Sequence, residues 1–148
     1  MTRDVLISIS GSQSSESDQD EIEMVTTGNY FFKEGKHYIL YEEIADKGDV
    51  IKNTIKVTKD SMEMIKRGSA SLHMVFQKGK KNVSCYITPF GELMVGVCTS
   101  EIQIEEGEDL LKIQVVYSLE INGEHISNCN ITVEVKPKNV QKTPALES

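Results

Sequence analysis

Along most of this chain apolar and polar side chains alternate one for one. Residues 111–121 show it most cleanly: Leu111, Ile113, Val115, Tyr117, Leu119 and Ile121 are separated by Lys112, Gln114, Val116, Ser118 and Glu120. A period of two marks a strand with one buried face, because successive side chains point to opposite sides. No stretch carries the 3.6-residue period of an amphipathic helix. Turn signals recur between the alternating stretches: KEGK (33–36), DKGD (46–49), KD (59–60), Gly68, KGKK (78–81), PFG (89–91), EEGE (105–108) and NG (122–123). Together they predict an all-β meander of about ten strands. A first short strand at 5–10 is followed by a polar run, GSQSSESDQD at 11–20, with nothing to bury. That run is expected to be a mobile loop within a barrel domain at 1–136. Residues 137–148, with Pro137 and Pro144, are expected to form a disordered tail.

Two hairpins can be taken to their register. A two-residue loop at Gly79-Lys80 puts Gly first, as a type II′ turn requires. It would set Phe76 against Val83, Met74 against Cys85 and Leu72 against Ile87, with His73 opposite Tyr86 on the other face. In the last hairpin, a two-residue turn at Asn122-Gly123 would bring Val115 against Asn130 and Leu111 against Glu134. A three-residue loop, 121–123 with Gly123 left-handed as a bulge, restores the apolar face. Ile113 then meets Ile131, Leu111 meets Val133 and Val115 meets Cys129. Both registers place Ile113, Val115, Tyr117, Ile131, Val133, Met74 and Phe76 on one buried face.

An alternating strand of eleven residues is long, and an uninterrupted meander of such strands removes its exposed edges by closing. The expected fold is a single antiparallel up-and-down barrel, with a two-sheet sandwich as the alternative.

Composition changes this picture little. The 148 residues, 39% apolar and 26% charged, suit one soluble domain. A net charge of −7 disfavours nucleic acid as a partner. The N-terminus lacks the apolar core and cleavage site of a signal peptide, and no run is long enough to span a bilayer, so a cytoplasmic protein without a membrane partner is expected. The sequons at Asn82 and Asn130 then carry no meaning. Cys85, Cys98 and Cys129 are odd in number and without C-x-x-C spacing, so buried, reduced thiols are expected.

Catalytic patterns are missing. There is no G-x-S-x-G elbow, no P-loop and no G-x-G-x-x-G. Glu42 and Glu43 are adjacent on a strand and face opposite sides, so they cannot act as a carboxylate pair. Glu105, Glu106, Glu108 and Asp109 lack the ligand spacing of a calcium loop. Lys78, Lys80 and Lys81 read as a solvated turn. His37, His73 and His125 lie on separate strands without a paired motif, so neither a metal nor another cofactor is expected. Arginine occurs only as Arg3 and Arg67, and neither is placed by pattern to orient a carboxylate inside a barrel.

KHYILYEE (36–43), KNTIK (52–56), TPFG (88–91) with Thr99, and NITV (130–133) occur in this order along the chain. On these segments the sequence resembles the YwiB-like family of uncharacterised bacterial calycin-like β-barrel proteins, over residues 5–135. The resemblance implies a lipocalin-like barrel and transfers no catalytic residue. Three functions follow from residues and fold. The first is a non-catalytic barrel, either plugged or binding a small apolar or amphipathic molecule, with His73, Tyr86, Tyr41 and Asn130 as candidate contacts. The others are a protein-interaction scaffold, and a haem- or metal-type binder or enzyme using a His/Tyr cluster at the barrel mouth.

Overall fold

The computed structural model describes residues 3–16 and 18–138. It contains ten strands: β1 (Asp4–Ser14), β2 (Gln19–Lys33), β3 (Lys36–Ile44), β4 (Val50–Val57), β5 (Ser61–Arg67), β6 (Leu72–Gln77), β7 (Lys81–Thr88), β8 (Gly91–Glu106), β9 (Leu111–Ile121) and β10 (Glu124–Pro137). One turn of 3-10 helix, Asp46–Gly48, joins β3 to β4. Strands neighbouring in sequence pair antiparallel from β1 to β6 and from β7 to β10, and β1 pairs with β10. The ring closes between β6 and β7 through a single bridge, Ser71 to Ile87. The result is a nearly closed up-and-down barrel.

Its lower end is where β1 begins and β10 finishes; its upper end carries the turns after β1, β3, β5, β7 and β9. The completely buried side chains gather in the lower half. Val5 and Ile7 on β1, Ile39 on β3, Val57 on β4, Leu111 and Ile113 on β9 and Val133 on β10 are all at or near zero exposure. Phe76 and Met62 join them. Tyr117 and Met74, expected in the same set, are partly buried against it.

Several expectations need correction. The polar run at 11–20 is largely strand: β1 runs on through Ser14, with Gly11 opposite Ile131 and Ser12 opposite Asn130, and β2 starts at Gln19. Backbone pairing with both β10 and β2 holds this segment where side-chain burial does not. Pro137, assigned to the tail, still pairs with Val5; residues 139–148 lie outside the described residues.

The 71–88 hairpin does not form the expected ladder. The backbone N–H of Lys80 donates to the Gln77 carbonyl at 3.0 Å, so the turn centres on Lys78-Gly79, one residue earlier. Gly79 (φ 76°) supplies the left-handed residue, and its N–H donates to Thr99 of β8 at 2.8 Å. The register of β7 is set by its eight-residue ladder with β8. Asn82, Ser84 and Tyr86 therefore turn toward the interior, while Val83 and Ile87 are exposed. Cys85 also lies on the outer face, half-buried, with its thiol donating to Glu92 at 3.5 Å. Burial and the Glu92 carboxylate push this thiol's pKa up. Cys98 is half-buried too, and only Cys129 is buried.

The last hairpin uses the turn that the pattern disfavours. Asn122 (φ 51°) and Gly123 (φ 84°) both take positive φ, with Ile121 opposite Glu124, as in a two-residue type I′ turn. The odd residue required by side-chain parity is Ile126, a bulge between His125 and Ser127. Beyond it Ile131 meets Val115, Val133 meets Ile113 and Cys129 meets Tyr117. The apolar face is restored two residues from the expected register, and Asn130 stays outside.

Candidate functional site

The upper half of the barrel is only partly filled. Alternation sends Tyr41 and Glu43 of β3, Lys66 of β5, and Leu72 and Met74 of β6 inward, and they surround a cavity of about 290 Å³. Ile9, Ile22, Met24 and Ile131 line its far side, where Ile22 is largely exposed. Tyr117 forms part of its wall, with its ring edge-on to Phe76 at 5.0 Å.

One polar network stands in this apolar setting. Lys66 Nζ donates to Glu43 Oε1 at 2.8 Å, and Asn53 Nδ2 donates to the same oxygen at 2.8 Å. Burial pushes the Glu43 carboxyl up, but the hydrogen bonds from Lys66 and Asn53 and the lysine charge outweigh it and leave its pKa lowered. Burial, then the Glu43 charge, pushes Tyr41 up to about 12. Burial, then the nearby Cys129, raises Tyr117 as well. Both phenols therefore stay protonated at neutral pH.

The lower end is sealed by a different group. β8 carries a second bulge at Ser100, between Thr99 and Glu101. It switches the inward positions from Val95, Val97 and Thr99 to Ile102 and Ile104, and the same parity aims Glu106 at His37 across the barrel. His37 Nε2 bonds to Glu106 Oε2, and His37 Nδ1 to the Tyr30 hydroxyl at 2.8 Å. The Phe32 ring meets His37 edge-on at 4.9 Å. Tyr30, raised by burial and then by Glu106, remains the donor in this chain.

The sequence-based candidates are scattered. Tyr41 lines the cavity. Tyr86 faces inward and packs against the core, but does not line it. His73 points outward and bonds Glu63 on β5 at 2.7 Å, so the expected His73–Tyr86 pair does not exist. Asn130 lies on the outer face, donating to Ser12 Oγ at 2.7 Å. The expected cluster of His73, Tyr86 and Tyr41 does not form; the His/Tyr pair at a barrel end is His37 with Tyr30, at the lower one, and His125, the remaining histidine, faces Asn128 on the surface. Sequence reasoning missed Lys66 and Asn53. Lys66 shares the alternate positions of Met62 and Met64, and that parity places it inside.

A nearly closed antiparallel barrel, fully packed in its lower half and with a cavity in its upper half, defines the class: a small up-and-down barrel with an internal cavity. Residues 7–133 match the family described as "Domain of unknown function (DUF1934)", and the chain belongs to that family. It is 32% identical over 118 residues to the "Uncharacterized beta-barrel protein YwiB" of Bacillus subtilis (strain 168), covering 78% of this chain and 82% of that protein. The "Crystal structure of ywiB protein from Bacillus subtilis" matches with a TM-score of 0.82 at 25% identity, over 91% of this chain and 92% of that one.

Proposed function

We propose that the protein is a non-catalytic binding barrel whose upper cavity holds a small amphipathic molecule. The carrying observation is the cavity itself: about 290 Å³, near the lower bound of typical ligand pockets, walled by Ile, Leu and Met with a few fixed polar groups. A calycin-like reading of the barrel belongs to this proposal, supported by the up-and-down topology with a hollow end. Binding is favoured over reaction because Lys66 and Glu43 in the cavity wall are tied to each other. A cytoplasmic setting is part of the same reading. Strand residues such as Lys112, Glu134 and Lys136 are on the outside while Ile and Val fill the inside, the reverse of a membrane barrel. Among the described residues no helix is long and apolar enough to cross a membrane.

Native mass spectrometry of the protein purified from cells should reveal a bound small molecule that denaturation releases. Met74→Trp, which fills the cavity, should abolish the adduct while thermal unfolding remains cooperative. A ligand-free mass, together with no binding of an apolar fluorescent dye, would overturn the proposal.

A further inference from the structure

On the outer side of the same strands lies a second hollow of about 790 Å³. It covers a fork in the sheet. β2 and β3 pair only from Asn29 opposite Leu40 to Lys33 opposite Lys36; above that, β2 keeps β1 as its partner and β3 keeps β4. Gly28 sits in the crotch, where an added Cβ would lie 2.2 Å from the Leu40 carbonyl oxygen. The Leu40 backbone thus leaves no room for a side chain at this position, and beyond it the two strands part. Among the described residues Tyr41 is the one that lines both the outer hollow and the inner cavity.

The outer hollow is polar. Lys52 of β4 and Arg67 of β5 are register partners on its wall, and neither makes an ion pair among the described residues. Glu42 lies opposite Lys52 on β3, and Asp4 and Lys138 border the other side. Of these groups, the Arg67 fork suits a bidentate anion best. Lys66, by contrast, is already neutralised by Glu43.

We propose that the split between β2 and β3 is a lateral entry to the cavity, and that the ligand is an amphiphile with an anionic head. The head rests outside on Arg67 and Lys52, and the apolar body passes Tyr41 into the interior. This rests on the cavity being the binding site. A volume of about 290 Å³ holds about ten groups the size of a water molecule, at about 30 Å³ each, so the body is a chain of about eight to ten carbons.

Calorimetry with octanoate, octyl phosphate and octan-1-ol tests the assignment. At least one anion should bind about tenfold or more tighter than the alcohol, the worth of a charge-assisted hydrogen bond. Arg67→Gln with Lys52→Gln should bring anion and alcohol to equal affinity, and Met74→Trp should remove all binding. From hexanoate to octanoate, affinity should rise about fourfold per methylene. Tyr41→Ala should raise the association rate of octanoate several-fold. Equal binding of anion and alcohol by the unaltered protein would overturn the head-group assignment and leave the cavity reading intact. An unchanged association rate would overturn the lateral entry, and failure of all three probes together with the apolar dye would remove both proposals.

Discussion

Glu43 shows how one position of parity decides a side chain's chemistry. Its neighbour Glu42 faces the outer hollow; Glu43, one residue on, faces the cavity and receives Lys66 and Asn53. The opposite facing of the two acids was readable from the strand, whereas the partner of the inner one lies 23 residues away, and such pairing depends on tertiary register. Because the Glu43 pKa is lowered from its ordinary value near 4.5, its contribution to stability is fully present above that value. It is lost as pH falls through the folded-state pKa. The stability advantage of the unaltered protein over Lys66→Met should therefore be level near neutrality and shrink below about pH 4.5, as read from urea midpoints. Carbon-13 NMR of the Glu43 carboxyl should give a midpoint below 4.5 in the unaltered protein and a higher one in Lys66→Met. An advantage that grows with acid would contradict the assigned role.

At the scale of elements, strands and turns were legible because both rest on local chemistry. Turn residues and alternation mark ten strands, and the structure has ten. Bulges were not legible. Ile126 looks like any β-branched strand residue, yet it absorbs the odd count that parity demands, and the Asn122-Gly123 turn is left regular. Asn122 is fixed from outside its hairpin, since Met94 N–H donates to its Oδ1 at 2.9 Å and its own N–H donates to the Met94 carbonyl at 2.7 Å. No local pattern announces those contacts. Similarly β7 obeys β8, and the apolar Val83 and Ile87 are turned out. The bulge makes a sharp contrast between two variants. Ile126→Ala removes a side chain that is 42% exposed and should cost less than about 1 kcal/mol. Deleting Ile126 would bring Asn128 and Asn130 to the inner face, and should cost about 3 kcal/mol or more through buried, unsatisfied amides. Similar urea midpoints for the two would refute the bulge as the source of register.

For the whole molecule, closure into a barrel followed from strand length and the absence of any break in the meander. Which half would be filled did not follow, because Ile, Leu and Met occupy inward positions in both halves. The difference arises where β2 and β3 part and where rings and long side chains reach across, and neither is written in a local pattern. The seam at β6 and β7 has a separate consequence. Nine of the ten neighbouring strand pairs share ladders, and this pair, consecutive in sequence, shares one bridge. Meanwhile Val5 and Pro137, near the two ends of the described chain, face each other across a ladder. The polypeptide could be re-threaded: a short linker joining those ends, with new termini cut at residue 79, would sever the ring at its weakest joint. Such a circular permutant should melt within a few degrees of the parent and retain its strand circular dichroism. A permutant cut at 122–123, which breaks the turn that Asn122 anchors to Met94 of β8, should melt well below it; the reverse order would show the seam to be stronger than its single bridge suggests. The barrel's natural beginning, in this sense, lies in the middle of the chain.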